Sequence, residues 1–284
     1  MKVGIEIVDI RLQDRANETA LFDQIKKDVY RHRLVLLRNQ GQIPAPVMTS
    51  MFDGFGDAFQ QPFTTQGLGM ANHAKSPAPS IMRISNDISE GYRNLGTSGW
   101  HIDGAYKPMP FSFLIFNAIE APNVGNTKFV GHRELMASMK LSLLQKLDRL
   151  WTAITRTVWG ERVYEIHPLI HQHPIANEPV FCLHMGYMRG VVRDYGTLNQ
   201  TYLNLGQMLT LKGEITNEIT KDNERLIYSH KWMKGDLLII DNWQIAHMAS
   251  KETQLPKEKI GLRVLHRLAI NGTQRPSKYG GLPS

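Results

Sequence analysis

A chain of 284 residues is long enough for one large domain or two small ones, and its 42% hydrophobic and 21% charged content excludes a disordered or fibrous protein. No apolar run approaches the roughly 20 residues of a membrane span, and the single cysteine, Cys182, excludes an intramolecular disulfide and suits a reducing cytoplasm. The net charge of +7 admits nucleic acid or an anionic small molecule as partner, but the Lys and Arg residues are scattered, without a basic stripe interleaved with aromatics, which favours a local site for an acidic ligand.

The opening stretch MKVGIEIVDIRLQD alternates apolar and polar residues and lacks the apolar centre of a signal peptide, so Val3 to Ile10 is expected as a half-buried strand. Ala20 to Arg31 has the spacing of an amphipathic helix, and Leu34 to Leu37 is a continuous apolar run, as in a buried strand. Pro44 to Phe55 predicts a second helix, opened by prolines and stopped near Gly54 and Gly56. From Gln60 to Pro79 the chain is polar and rich in Gly, Pro, Thr and Asn, too long for a plain connector. A strand at Ser80 to Ile84 and a second irregular segment, Ser85 to Gly99, follow. The whole of 60–99 is expected to form a lid or substrate segment, as is 183–205.

Phe111 to Ala118 predicts a strand, Ala121 to Asn126 a turn and Thr127 to Val130 a short strand. Helices are expected over roughly 132–150, an alternating strand over Trp151 to Val158, and two short strands around the Pro-Ile-Ala-Asn-Glu-Pro turn within Ile166 to Cys182. Residues 198–226 are mixed and partly helical. The C-terminal region is sharper: Leu237 to Ile240, a turn at Asp241-Asn242, Gln244 to Met248, and a long strand from Leu262 to Ile270. With no internal repeat or linker, many short strands and few helices predict one domain over 1–284, mainly β, an antiparallel barrel or sandwich with flanking helices.

The chemistry gathers at Trp100-His101-Ile102-Asp103. On a strand, residues i and i+2 face the same way, so His101 and Asp103 can reach one ion. Two imidazoles and one carboxylate on one face of Fe(II) leave positions open for other ligands. Among 11 His and 26 acidic residues, about one His-x-acid pair is expected by chance, so the pair alone is weak evidence. A second pair, His132 and Glu134, opens a segment of helical periodicity and diverges, because two helical steps turn the side chain by about 200°. His247, in LLIIDNWQIAHMAS just past a buried strand and turn, is the best candidate for the second imidazole; a satisfied structural histidine is the competing reading. Arg263 and Arg267 lie four steps apart on one strand face, roughly 13 Å, too far to share one small dianion but suited to two anionic groups. Alternatively, one is a surface salt-bridge residue. His167, His171 and His173 in HPLIHQHP admit a separate zinc site, but without an accompanying acid or Cys pair a structural role is favoured.

WHIDG, GNTKFV, HPLIHQHP, KWMKGDLLIIDNWQIAHMAS and RVLHR, taken in order, resemble the successive motifs of the taurine dioxygenase family, from the N-terminal strand to about Ile270. The resemblance implies a double-stranded β-helix (jelly-roll, cupin-like) core and an oxygenase that uses Fe(II), 2-oxoglutarate and O2. It makes His101, Asp103 and His247 the iron ligands, matches Thr127 and Arg263 to the residues that hold the cosubstrate, and matches Arg267 to an arginine facing the substrate's acidic group. Arg93 and Asn94 are further candidates for substrate contact. The implied reaction oxidises an aliphatic C–H of a small, acidic molecule, with hydroxylation as the default and desaturation, ring closure or C–heteroatom cleavage as alternatives, releasing succinate and CO2. Asp103, in a position where related halogenases carry a small residue, implies oxygenation rather than chlorination. A nucleic-acid demethylase of the same chemistry would need a basic groove and a base-flipping pocket, which the dispersed charge disfavours. A non-catalytic sensor is disfavoured by the complete ligand set. The expected setting is cytoplasmic, without a membrane partner; a homo-oligomer is left open.

Overall fold

The computed structural model describes residues 3–61, 73–93, 96, 99–158 and 161–281. Its central feature is a six-stranded sheet in the order Ile5–Ile7, Leu34–Leu37, Leu237–Asp241, Phe113–Glu120, Val264–Ile270, Ile81–Ser85. All its pairings are antiparallel except the first. The apolar runs LVLL and LLII arise because these strands are covered on both faces. Val35, Leu37, Ile115, Leu237 and Ile239 face the helix Thr19–His32, meeting its buried stripe of Phe22, Ile25 and Val29. The alternate residues Leu34, Leu36, Leu114, Phe116, Leu238 and Ile240 face inward, against Phe129 and Ile245.

Phe129 and Ile245 belong to a three-stranded sheet in the order Tyr228–His230, Thr127–Gly131, Ile245–Ala249. This smaller sheet lies opposite the larger one, in the jelly-roll arrangement. A third, four-stranded sheet carries the hairpin Leu150–Val158 and Glu161–Pro168, flanked by Met188–Arg193 and Thr201–Tyr202.

Several boundaries differ from expectation for local reasons. The first helix ends where Arg33 takes a left-handed conformation (φ 69°) and donates its backbone N–H to Val29 C=O. The second expected helix is cut to Ala45–Met51, with a 3-10 turn at Asp53–Phe55. The mixed stretch 198–226 holds the longest helix, Leu205–Glu224. Its Asn204 side chain accepts from Gln207 N–H while the Gln207 side chain accepts from Asn204 N–H. That helix buries Met208, Leu211, Ile215 and Ile219 against Val130, Leu135, Leu183 and Ala246. Within 60–99, residues 62–72, 94–95 and 97–98 lie outside the described residues. The rest contains the strand Ile81–Ser85.

The expected strand at Trp100–Asp103 is reduced to a single bridge residue. His101 bridges His247 on one side and His184 on the other, and Ile102 already leads into a turn. Gly104 makes that turn with φ 75°, where a Cβ would lie 2.9 Å from the Phe111 ring. Among the described residues no helix is long and apolar enough to cross a membrane.

Candidate functional site

The backbone around His101 is clamped from both sides. His101 and His247 exchange N–H to C=O bonds (3.1 and 2.9 Å), Met185 N–H donates to Trp100 C=O (3.0 Å), and Ile102 N–H donates to Leu183 C=O (2.8 Å). Asp103, past the end of this bridge, is fixed by Asn242 instead. The Asn242 carbonyl oxygen accepts from Asp103 N–H and its amide donates to Asp103 C=O, both at 2.9 Å. The Asp241-Asn242 turn therefore sets the position of a residue 139 places earlier in the chain.

These clamps bring His101, Asp103 and His247 together. Asp103 Oδ1 lies 3.5 Å from His101 Nε2 and 3.8 Å from His247 Nε2, and the three donor atoms lie within 4.8 Å of one another. His101 Nδ1 is 2.7 Å from the Gly99 carbonyl. A carbonyl only accepts, so that nitrogen carries the proton and Nε2 turns its lone pair to the cluster. Burial lowers the pKa of His101 and brings that of His247 down to about 3, so both rings are neutral donors. Burial, the largest single influence, would raise Asp103, but Arg267 and the nearby histidines together outweigh it and hold the carboxyl below the usual range. Two neutral imidazoles and a carboxylate fit a divalent iron or manganese ion.

Arg263 precedes the strand Val264–Ile270, its backbone N–H held by the Asn86 side chain at 2.9 Å. Its guanidinium is buried, its Nε has no partner, and among the described residues no carboxylate pairs with it. Burial lowers its pKa to about 10. Thr127, first residue of its strand, accepts a hydrogen bond from Trp232 Nε1 at 2.9 Å, which leaves its hydroxyl proton free to be donated. A buried guanidinium without an acid, together with a free hydroxyl, fits a carboxylate ligand.

His101, Asp103, His247, Thr127 and Arg263 line one cavity of about 150 Å³, with Met82, Ile84, Phe116 and Leu265 among its walls. Arg267, on the inward face of its strand, is in the cavity but ion-paired with Asp103 Oδ2. Arg93 donates to the Gln254 carbonyl at 2.9 Å and is not part of the cavity wall; Asn94 lies outside the described residues. The segment 183–205 contributes His184 and Tyr187 to the wall, and the strand Leu150–Val158 contributes Arg156. None of these three was singled out by the sequence reading. Arg156 lies in the stretch WTAITRTV on the same strand face as the buried Thr152 and Ile154, but polar residues occur on both faces of that stretch and give no signal of which face is inward.

The rings of His167, His171 and His173 are not brought together as a group of metal donors. Among the described residues the one group of three metal-donor side chains is His101, Asp103 and His247. His167 Nε2 bonds the Lys107 carbonyl (3.0 Å), His173 Nε2 bonds Asp241 Oδ2 (3.0 Å), and the His171 ring packs on Trp243.

Residues 2–268 match the family described as taurine catabolism dioxygenase TauD, TfdA family. An alpha-ketoglutarate-dependent sulfonate dioxygenase of Saccharomyces cerevisiae is 22% identical over 280 residues. The match covers 93% of this chain but 64% of that protein, so the chain spans under two thirds of its curated relative. Two solved structures share the fold. A taurine dioxygenase from Burkholderia xenovorans superposes with a TM-score of 0.73 at 20% identity, covering 95% of this chain and 88% of its own. AAD-2, solved in complex with Mn(II) and N-oxalylglycine, gives 0.67 at 16% identity, covering 91% and 90%.

Proposed function

The chain belongs to the taurine catabolism dioxygenase TauD, TfdA family, and on that premise we propose that it is an Fe(II)- and 2-oxoglutarate-dependent oxygenase oxidising an aliphatic C–H of a small anionic molecule. Sulfonates are the first substrate class to try, since the matched yeast protein is a sulfonate dioxygenase. The observation that carries the reading is the acid-free, buried Arg263 beside Thr127, in the same cavity as the His101, Asp103 and His247 cluster. His101, Asp103 and His247 would hold the iron, and Arg263 with Thr127 would hold the far carboxylate of 2-oxoglutarate. With O2, the bound iron and 2-oxoglutarate supply the oxidant, and succinate and CO2 are released.

The rest is the work of the protein's own groups. Burial keeps the imidazoles neutral, so no proton need leave before metal binds. Arg267 takes Asp103 Oδ2 and leaves Oδ1 facing the two imidazole nitrogens, so that Oδ1 would be the oxygen offered to the iron. This role, a brace for the ligand, is proposed in place of the substrate contact expected for Arg267 from the sequence. Met82, Ile84, Phe116 and Leu265 keep the reacting region dry.

The test is Fe(II)-dependent succinate release from 2-oxoglutarate with a panel of alkanesulfonates, scored above the no-substrate background. Substituting His101, Asp103 or His247 by Ala is expected to abolish both turnover and Mn(II) binding while the far-UV circular dichroism is retained. A wild-type protein that binds neither Mn(II) nor 2-oxoglutarate would overturn the proposal.

A further inference from the structure

The cavity holds three guanidiniums, and two already have work assigned: Arg263 faces an acid-free pocket beside Thr127, and Arg267 is paired with Asp103. The third, Arg156, enters from the four-stranded sheet rather than from the jelly-roll core. Its guanidinium carbon lies 4.9 Å from the centre of the Tyr106 ring and 5.0 Å from that of Tyr187, within cation–π range of both. Tyr187 is itself held, stacked on His184 at 4.0 Å, and the His184 ring lies 4.9 Å from His101. A continuous stack of rings therefore connects the metal-ligand cluster to Arg156. Among the described residues, no carboxylate forms an ion pair with Arg156.

We infer that Arg156 is the specificity-determining residue that takes the acidic group of the substrate, placed by Tyr106 and Tyr187 at a fixed position in the wall of the oxygenase cavity. This rests on the oxygenase reading above and deepens it. A guanidinium positioned by two aromatic faces keeps its N–H edges free for a planar or tetrahedral anion, so a sulfonate or carboxylate can be gripped by two parallel hydrogen bonds. Arg267, whose charge is already met by Asp103, is the poorer receptor. The substrate class that follows is a small molecule with an anionic head at Arg156 and an aliphatic carbon near the His101, Asp103 and His247 cluster.

Calorimetric titration under argon of the Mn(II)-loaded protein, saturated with 2-oxoglutarate, tests this with straight-chain sulfonates and carboxylates of about two to eight carbons and the primary alcohols of matching length. The expected result is that at least one anion binds, at least tenfold more tightly than its alcohol. Arg156→Gln is expected to weaken that anion tenfold or more while the 2-oxoglutarate Kd stays within twofold, and Arg156→Lys to recover part of the loss. Should Arg156→Gln fail to fold, Arg156→Lys, which keeps the charge and loses the fork, carries the comparison. The inference is overturned if Arg156→Gln leaves anion affinity within twofold, if Arg267→Gln alone removes it, if no anion outbinds its alcohol, or if 2-oxoglutarate binding falls along with the anion. Wild-type protein that fails to bind 2-oxoglutarate would overturn the oxygenase reading as well, whereas each of the other outcomes leaves its iron and 2-oxoglutarate chemistry standing.

Discussion

Asp103 divides its two oxygens between two tasks: Oδ1 faces the imidazole nitrogens and Oδ2 faces Arg267. A group that orients a ligand affects metal affinity by about 10- to 100-fold when it is removed. Arg267→Ala is therefore expected to weaken Mn(II) binding by that factor, measured by calorimetry without any substrate. If Arg267 served only a substrate, Mn(II) affinity would be unchanged and only the KM for substrate would rise. Arg263 has no such partner, so its loss should appear in a different ligand. Arg263→Lys is expected to weaken 2-oxoglutarate roughly ten- to a hundredfold, because an ammonium cannot reproduce the two parallel bonds of a guanidinium, a difference of about 1.5 to 3 kcal/mol. Trp232→Phe, which removes the donor that orients the Thr127 hydroxyl together with part of the buried ring, should cost about 0.5 to 1.5 kcal/mol in the same measurement for the lost hydrogen bond. An unchanged Kd in the lysine variant would remove Arg263 from the cosubstrate site.

Elements buried on both faces were the most legible in the sequence. LVLL and LLII read as strands because nothing polar is tolerated on either side, and the 3.6-residue stripe of Phe22, Ile25 and Val29 places the first helix within a residue of its observed ends. The strand assigned to His101 and Asp103 was not legible correctly. Their convergence comes from a single bridge to His247 and from Asn242, a partner far along the chain that no local spacing reveals. Arg156 was invisible for a similar reason, since its two aromatic partners come from other parts of the chain. The helix Leu205–Glu224 lay in a stretch of weak periodicity and is marked instead by its capping residues. Asn204→Ala is expected to destabilise the protein by about 1 kcal/mol, lowering Tm by roughly 2 to 4 °C, with 2-oxoglutarate affinity unchanged. A change in that affinity would mean that the helix, which packs on Leu183 and Ala246 beside the ligand strands, transmits strain to the site.

At the scale of the whole molecule, the histidines govern the response to acid more than the net charge of +7 does. His132, His167 and His266 are buried and hydrogen-bonded as neutral rings, and burial pushes each down to about 4, with Arg83 adding to the effect at His266. In the unfolded chain the same rings titrate near 6.5. Between those values the unfolded state binds more protons than the folded one, so stability falls as pH drops through about 6.5 and continues to fall until the folded rings themselves protonate near 4. Each ring then removes about 1.4 kcal/mol by pH 5.5, and the three together about 4 kcal/mol. For a chain of this length the three alone correspond to roughly 10 °C in Tm, and with metal removed the buried rings of His101, His171, His184 and His247, lowered by the same cause, add to the loss with the same sign. The depressed carboxylates act in a lower window, since their contribution is present above their unfolded pKa near 4 and is lost only as pH falls below it. The measurement is Tm between pH 7.0 and 5.5 at constant ionic strength with EDTA present, so that metal bound to His101 and His247 does not enter the comparison. A Tm that stays flat over that interval would contradict the burial of these rings in neutral form.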